Sequence, residues 1–219
     1  MLRGLFVTGT DTGVGKTAAS AALMHRFRGR RGGGVRFWKP IQTGIEQDDD
    51  TAEVRRLGGC ADDEVCEEGI RLTRPVSPHL AARLSNRSIA LGPLTDFAAA
   101  QSATHRWIVE GAGGVLVPIN DQDLMIDLMA RLDLPVLVVA RTTLGTINHT
   151  LLTIGALRAR SLEVAGVLMV GEANAENRAA IETYGRVRVV GEMPWFEPLS
   201  AGALGQWASA HLDPDGVLG

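Results

Sequence analysis

Two lysines and one glycine-rich loop are the residues of this sequence best suited to chemistry. The loop reads Gly9-Thr10-Asp11-Thr12-Gly13-Val14-Gly15-Lys16-Thr17. Glycines let a backbone curl so that its N–H groups face an anion, and a helix starting after the loop adds its positive end. In such loops the lysine reaches the outer phosphates of a nucleotide and the hydroxyl after it ligates Mg²⁺. The strict pattern has four residues between its first glycine and Gly-Lys-Thr. Here five residues separate Gly9 from Gly15, and Thr10 takes the strict position, so the loop is a variant. A dinucleotide-binding turn is disfavoured, because Lys16-Thr17 replaces the residues that fingerprint needs. Lysine is otherwise almost absent. Of 22 basic residues 20 are Arg, and only Lys16 and Lys39 remain. Lysine is a compact point charge where arginine is a wide planar fork, so its use at two places points to a role there.

A bound nucleotide needs a metal, and Mg²⁺ needs hard oxygen ligands. Glu110 follows a short apolar run and enters Gly111-Ala112-Gly113-Gly114, which reads as a glycine-rich turn beside the phosphate loop. Within Asp48-Asp49-Asp50, the first two residues read as a solvated loop. Asp50 opens a helical segment and is either its N-cap or a metal ligand. Lys39 ends a second apolar run, before Pro40. Two ammonium groups near one phosphate exceed what nucleotide binding requires. A second cation suggests negative charge building up on an attacking group, such as a carboxylate or carbamate.

The elements that must position these residues alternate. Gly4 to Thr8, Val35 to Lys39, Trp107 to Val109, Pro135 to Ala140, Val164 to Val170 and Val187 to Val190 read as buried strands. Thr17 to Arg28, Asp50 to Leu57, Pro78 to Leu84, Leu94 to Ala103, Asn148 to Arg160, Ala175 to Tyr184 and Leu204 to Leu212 read as helices. Gly32-Gly33-Gly34 is expected to stop the first helix. Alternation of this kind predicts an α/β fold of the phosphate-loop NTPase type: one domain over residues 1–219, a mostly parallel sheet, and helices on both faces. Its right-handed crossovers place the loops after Thr8, Lys39, Val109, Ala140 and Val170 along one edge.

The length of 219 residues and 45% apolar content suit one well-filled domain. A net charge of −3 argues against a general nucleic-acid binder. No apolar run approaches the ~18–20 residues of a membrane helix, and no cleavable leader is evident. Cys60 and Cys66 do not make a disulfide framework, so a reducing, cytoplasmic setting is expected. His25, His105 and His211 read as surface positions, and His149 as a structural hydrogen-bonding residue. His79 is a candidate for shaping a pocket.

Several motifs occur in order: VTGTDTGVGKT from Val7, KPIQTG from Lys39, SPH at Ser77 to His79, VEGAGG at Val109 to Gly114, GTINHT at Gly145 to Thr150, and GEMPW at Gly191 to Trp195. Together, over residues 5 to about 196, this set resembles the dethiobiotin synthetase family. The resemblance implies a ligase that uses Mg²⁺, a nucleoside triphosphate (ATP or CTP) and carbon dioxide or bicarbonate to close a cyclic urea on 7,8-diaminopelargonic acid. It implies catalytic roles for Lys39, Lys16 and Thr12, and Mg²⁺ ligation by Thr17, Asp50 and Glu110. Nucleotide contacts would come from Gly13, Val14, Gly15, Lys16, Thr17, Ala18, Gly111, Ala112 and Gly113. Base contacts would come from Val170, Gly171, Pro194, Trp195 and Phe196. Thr43, Gly114, Thr146, Ile147 and Asn148 would bind the diamine, the last three across a homodimer interface. At Val170-Gly171 the family often carries Asn, sometimes with Asp, to read adenine. Val170 offers a base no side-chain hydrogen bond, so a relaxed or cytidine-tolerant site is expected.

The alternative from another class is a partition or septum-positioning switch ATPase. Such proteins carry a second lysine early in the loop, where this sequence has Thr10, Asp11 and Thr12. They also often end in a basic amphipathic helix. Gly205 to Gly219 contains no Lys or Arg.

Overall fold

A computed structural model of the chain describes residues 2–29, 34–101 and 104–219. The strands are β1 (Arg3–Gly9), β2 (Val35–Trp38), β3 (Ile41–Thr43), β4 (Val65–Cys66), β5 (Ile70–Leu72), β6 (Arg106–Gly114), β7 (Val136–Arg141), β8 (Val164–Val170) and β9 (Val189–Met193). The helices are α1 (Lys16–Phe27), α2 (Asp50–Gly58), α3 (Pro78–Leu84), α4 (Leu91–Ala100), α5 (Met125–Leu132), α6 (Thr146–Ala159), α7 (Ala175–Gly185) and α8 (Ala201–His211). Seven strands form one sheet in the order β4-β2-β6-β1-β7-β8-β9, and β3 pairs with β5 apart from it. Every pairing within both sheets is parallel.

Period-2 alternation along the strands feeds two apolar cores. Phe6, Val138, Ala140 and Met169 point to one face and pack with Leu94, Met125, Met129, Ile154 and Ile181 from α4 to α7. Leu5, Val7, Leu137, Val139 and Leu168 point to the other and pack with Leu23, Phe27, Leu57, Leu204 and Trp207 from α1, α2 and α8. Burial on both faces is what makes these strands read as continuous apolar runs.

Five expectations need correction. Residues Gly111 to Gly114 form no turn: β6 continues through them, and Gly114 lies opposite Gly9 of β1. The small residues serve packing, since a Cβ on Gly111 would come within 2.9 Å of the Phe6 ring. The fourth helix begins at Leu91, and the last strand runs to Met193, through the first half of GEMPW. Asp49 is no solvated loop residue; its carboxylate caps α2 by accepting from Thr51 N and Ala52 N. His25 is half-buried, with Nε2 at 2.8 Å from the Leu57 carbonyl oxygen. The proposed stop at Gly32-Gly33 and the helix end at Ala103 lie outside the described residues.

Candidate functional site

The phosphate loop leaves β1 at the C-terminal edge of the sheet. Thr10 N donates to the Val139 carbonyl at 3.0 Å, which ties the loop to β7. Asp11 shapes it further: Oδ1 accepts from Thr12 N at 2.7 Å and Oδ2 pairs with Arg141 Nη2 at 2.6 Å. The Lys16 ammonium folds over the loop and donates to the Asp11 carbonyl at 3.1 Å. Gly15, at φ 97°, is the N-cap of α1, and a Cβ there would sit 3.0 Å from Val170 Cγ1. Only glycine takes that backbone conformation at little cost. The first turn of α1 carries no acidic side chain, so its positive end is left to an anion.

Three elements converge in front of this loop. Lys39, just past β2, sends Nζ to within 2.6 Å of both Asp50 Oδ2 and Glu110 Oε1. Asp50 is the first residue of α2, and Glu110 lies midway along β6. Thr17 Oγ1 donates to Asp50 Oδ1 at 2.8 Å and lies 3.5 Å from Glu110 Oε1. Ser20, one turn after Thr17 on α1, donates to Glu110 Oε2 at 2.7 Å. Glu110 is fully buried and its carboxylate is held from three sides.

The two ammonium groups respond differently to burial. For Lys16, burial outweighs the attraction of Glu110 and pulls the pKa below its ordinary value. For Lys39, burial also acts downward, but Glu110 and Asp50 outweigh it and the net shift is upward. Lys39 is therefore held firmly as a cation, 6% exposed.

Thr17, Asp50 and Glu110 form a set of hard oxygen donors, with the Thr17 hydroxyl in reach of both carboxylates. Among the described residues no cluster of three or more His, Cys, Asp or Glu is found that could cage a metal ion. Two carboxylates and a hydroxyl suit Mg²⁺, which keeps waters and shares substrate phosphates instead of being caged by protein. The residues present fit that ion.

These groups line a cleft of about 680 Å³. Of the residues expected from sequence, it gathers Thr12, Gly13, Gly15, Lys16, Thr17, Ala18, Lys39, Thr43, Asp50, Glu110, Ala112, Gly113 and Trp195. Gly114 lies in a second cleft of about 380 Å³, between the loop and α6, with Thr10 to Thr12, Val115 to Pro118, His149, Leu152 and Thr153. Gly171 and Pro194 line a third, of about 590 Å³, beside β9. Val14 and Val170 are buried in the core on the α1 side, and Gly111 is buried against Phe6 and Met125. Thr146 is buried and bonds the Arg141 carbonyl, Ile147 is half-buried, and Asn148 is exposed on the first turn of α6. His149 is exposed and borders the second cleft. Sequence reasoning missed Ser20, Gln42 and Arg141. The only signal for Ser20 was its three-residue spacing from Thr17, which puts both on one face of a helix.

A strand, a variant phosphate loop, a helix and a carboxylate-bearing neighbour strand define an α/β nucleotide-binding protein of the phosphate-loop class. The model of a family described as "AAA domain" (AAA_26) matches residues 3–203. An ATP-dependent dethiobiotin synthetase BioD from Bradyrhizobium diazoefficiens is 44% identical over 200 residues, covering 91% of this chain and 90% of the relative. One from Rhodopseudomonas palustris is 41% identical over 215 residues, covering 98% and 97%. The chain belongs to the dethiobiotin synthetase family. Among solved structures, a ParA family ATPase from Chlorobium tepidum superposes with a TM-score of 0.60 at 8% identity, covering 94% of this chain and 98% of that one. A chain of the MinC:MinD complex of Aquifex aeolicus gives 0.55 at 12%, covering 94% and 86%. These likenesses concern the fold alone.

Proposed function

We infer that this chain is an ATP-dependent ligase that closes the cyclic urea of dethiobiotin on 7,8-diaminopelargonic acid. One amine of the diamine takes up carbon dioxide as a carbamate. A carbamate oxygen attacks the γ-phosphorus, the bond to the β-γ bridging oxygen breaks, and the nucleoside diphosphate leaves. The second amine then attacks the carbonyl carbon of the carbamic-phosphoric anhydride, expels phosphate, loses a proton and closes the ring. Phosphoryl transfer of this kind is mainly positioning and charge stabilisation.

The observation that carries this reading is the pair of lysines in one cleft. Lys16 belongs to the phosphate loop and serves the nucleotide. Lys39 stands across the cleft as a cation fixed by Glu110 and Asp50. It supplies positive charge where a carbamate and the transferring phosphoryl group accumulate negative charge. Thr17, Asp50 and Glu110 would hold a bound Mg²⁺, which would neutralise the charge of the phosphates. Thr12 and Thr43 border the same cleft and would orient the reacting amine. The second cleft, open beside Thr12 and Gly114, has room and apolar walls for the diamine's alkyl chain.

Base recognition is assigned to the far side of the loop, around Gly171, Pro194, Trp195 and Phe196. Val170 is buried against Gly15 and supports the loop from behind. It presents no polar atom to a base. Discrimination is left to main-chain groups and stacking on the Trp195 ring, which is 71% exposed.

The test is phosphate release with Mg²⁺, bicarbonate and the diamine, run in parallel with ATP and CTP. Release that requires both diamine and bicarbonate, with a low ATP-to-CTP preference, is the expected result. Slow release indifferent to the diamine would overturn the ligase reading in favour of a switch ATPase. Strong preference for ATP would overturn the account of Val170.

A further inference from the structure

Between the segment that carries Lys39 and the helix that begins with Asp50 lies a single buried carboxamide. Gln42, in β3, is 1% exposed. Its Nε2 donates to Asp49 Oδ1 at 3.0 Å and to the Asp48 carbonyl at 3.3 Å. Its Oε1 accepts from Thr51 Oγ1 at 2.9 Å, and Thr51 is itself fully buried. These partners are the two residues before Asp50 and the one after it. The Asp50 carboxylate is committed elsewhere, to Thr17 and Lys39.

We propose that Gln42 is a positioning residue for the metal site: by gripping Asp48, Asp49 and Thr51, it fixes Asp50 beside Thr17. The proposal rests on the reading of Asp50 as an Mg²⁺ ligand. The chain path supports it. Lys39 and Gln42 are three residues apart on one short stretch, so the amide that locates Asp50 moves with the ammonium that pairs with it. A buried amide with both donors and its acceptor engaged is costly to disturb, because each lost partner leaves a desolvated group unsatisfied. The hydrogen bonds of Gln42 also fix the direction in which α2 leaves the loop, since Asp49 is at once its partner and the helix cap. Residues that orient a ligand from behind in this way set metal affinity without touching the ion.

The experiment titrates Mg²⁺ against the binding of a fluorescent ATP analogue, without diamine or turnover, in wild type, Gln42→Met, Thr51→Val and Asp50→Asn. Gln42→Met keeps the volume and removes all three bonds. It is expected to raise the Mg²⁺ concentration at half-maximal binding about tenfold, in the range for partners behind a metal ligand. Binding of the analogue in the absence of Mg²⁺ should stay as in wild type. Thr51→Val removes one bond only, and a smaller shift in the same direction is expected; it carries the test if Gln42→Met does not fold. A lowered melting temperature with an unmoved Mg²⁺ midpoint would mean a merely structural role and would overturn the proposal. An unmoved midpoint in Asp50→Asn would instead overturn the ligand assignment, and the proposal with it.

Discussion

Lys16 and Lys39 share a cleft and face opposite electrostatic demands. Both are buried, and burial penalises a charge. Lys39 is compensated by two carboxylates at 2.6 Å, whereas Lys16 donates to a neutral carbonyl. Folding thus lowers the pKa of Lys16 below its ordinary 10.5 and raises that of Lys39 above it. The raised value means that the Lys39 ion pairs contribute stability in full below 10.5 and lose it as pH rises through the folded value. The lowered value means that Lys16 carries the larger neutral, nucleophilic fraction at any mildly alkaline pH. Because the sequence holds no other lysine, peptide mapping after brief treatment with an amine-acylating reagent reads the difference directly. Lys16 should be modified first, and a nucleoside triphosphate with Mg²⁺ should protect it. Equal or faster modification of Lys39 would contradict the assignment of Lys39 as a fixed cation.

At the scale of elements, the site depends on how α1 and β8 meet under the phosphate loop. Gly15 stands at a positive φ and its α-carbon faces the Val170 side chain, where a Cβ would be crowded by both methyl groups at 3.0 and 3.2 Å. Gly15→Ala is expected to cost about 1–3 kcal/mol of stability from backbone strain, with a steric part added. Val170→Ala removes the opposing methyl groups and relieves only the steric part. In a denaturant-unfolding cycle the double variant should therefore lose less than the sum of the single losses. Strict additivity would show that the contact carries no energy. The same elements explain what was legible in the sequence. β7 and β8 are continuous apolar runs and α1 and α6 are helices of twelve and fourteen residues, so length and composition identify them. The strands β3, β4 and β5 have two or three residues each and leave no periodic trace. Met125, Ile126, Leu128, Met129 and Leu132 lie at helical spacing, a short pattern that marks α5. Glycines in β6 looked like a turn because local propensity says nothing about a ring such as Phe6 packed across the strand. Lys16, Thr17, Lys39, Asp50 and Glu110 could be found from residue type at strand and helix ends. Gln42 and Ser20 could not, because their importance exists only through partners at Asp49 and Glu110. Within Asp48-Asp49-Asp50, residue type could not tell the helix cap from the residue facing Lys39; backbone geometry does.

At the scale of the molecule, parallel strands bring every functional loop to one edge and open clefts on both sides of the phosphate loop. The second cleft is bordered by α6 and lined by two exposed apolar side chains, Leu116 and Leu152, and a third, Leu144, is exposed at 104% just ahead of the α6 cap. Large apolar side chains grouped in this way beside a pocket mark a surface that another molecule covers. Asn148 and the first turn of α6 share that face, and Gly145 caps the helix without a side-chain hydrogen bond. A helix start of this kind suits the carboxylate of the diamine. The homodimer that the family resemblance implies would close through this face as an isologous contact, each copy completing the other's diamine site. An isologous contact presents every residue twice, so one substituted charge opposes its own copy. Leu144 lines neither cleft, which makes Leu144→Glu a test of association and not of nucleotide contact. Light scattering on a sizing column should give a dimer for the wild-type chain and a monomer for Leu144→Glu. Binding of the fluorescent ATP analogue should be unchanged in the variant, while KM for the diamine rises at least about tenfold, the loss expected when a charge-assisted contact is removed. A wild-type chain that runs as a monomer would sink the proposed dimer, and so would a monomeric variant that saturates normally with diamine. In the second case the carboxylate site would have to lie wholly within one chain, on the walls of the second cleft.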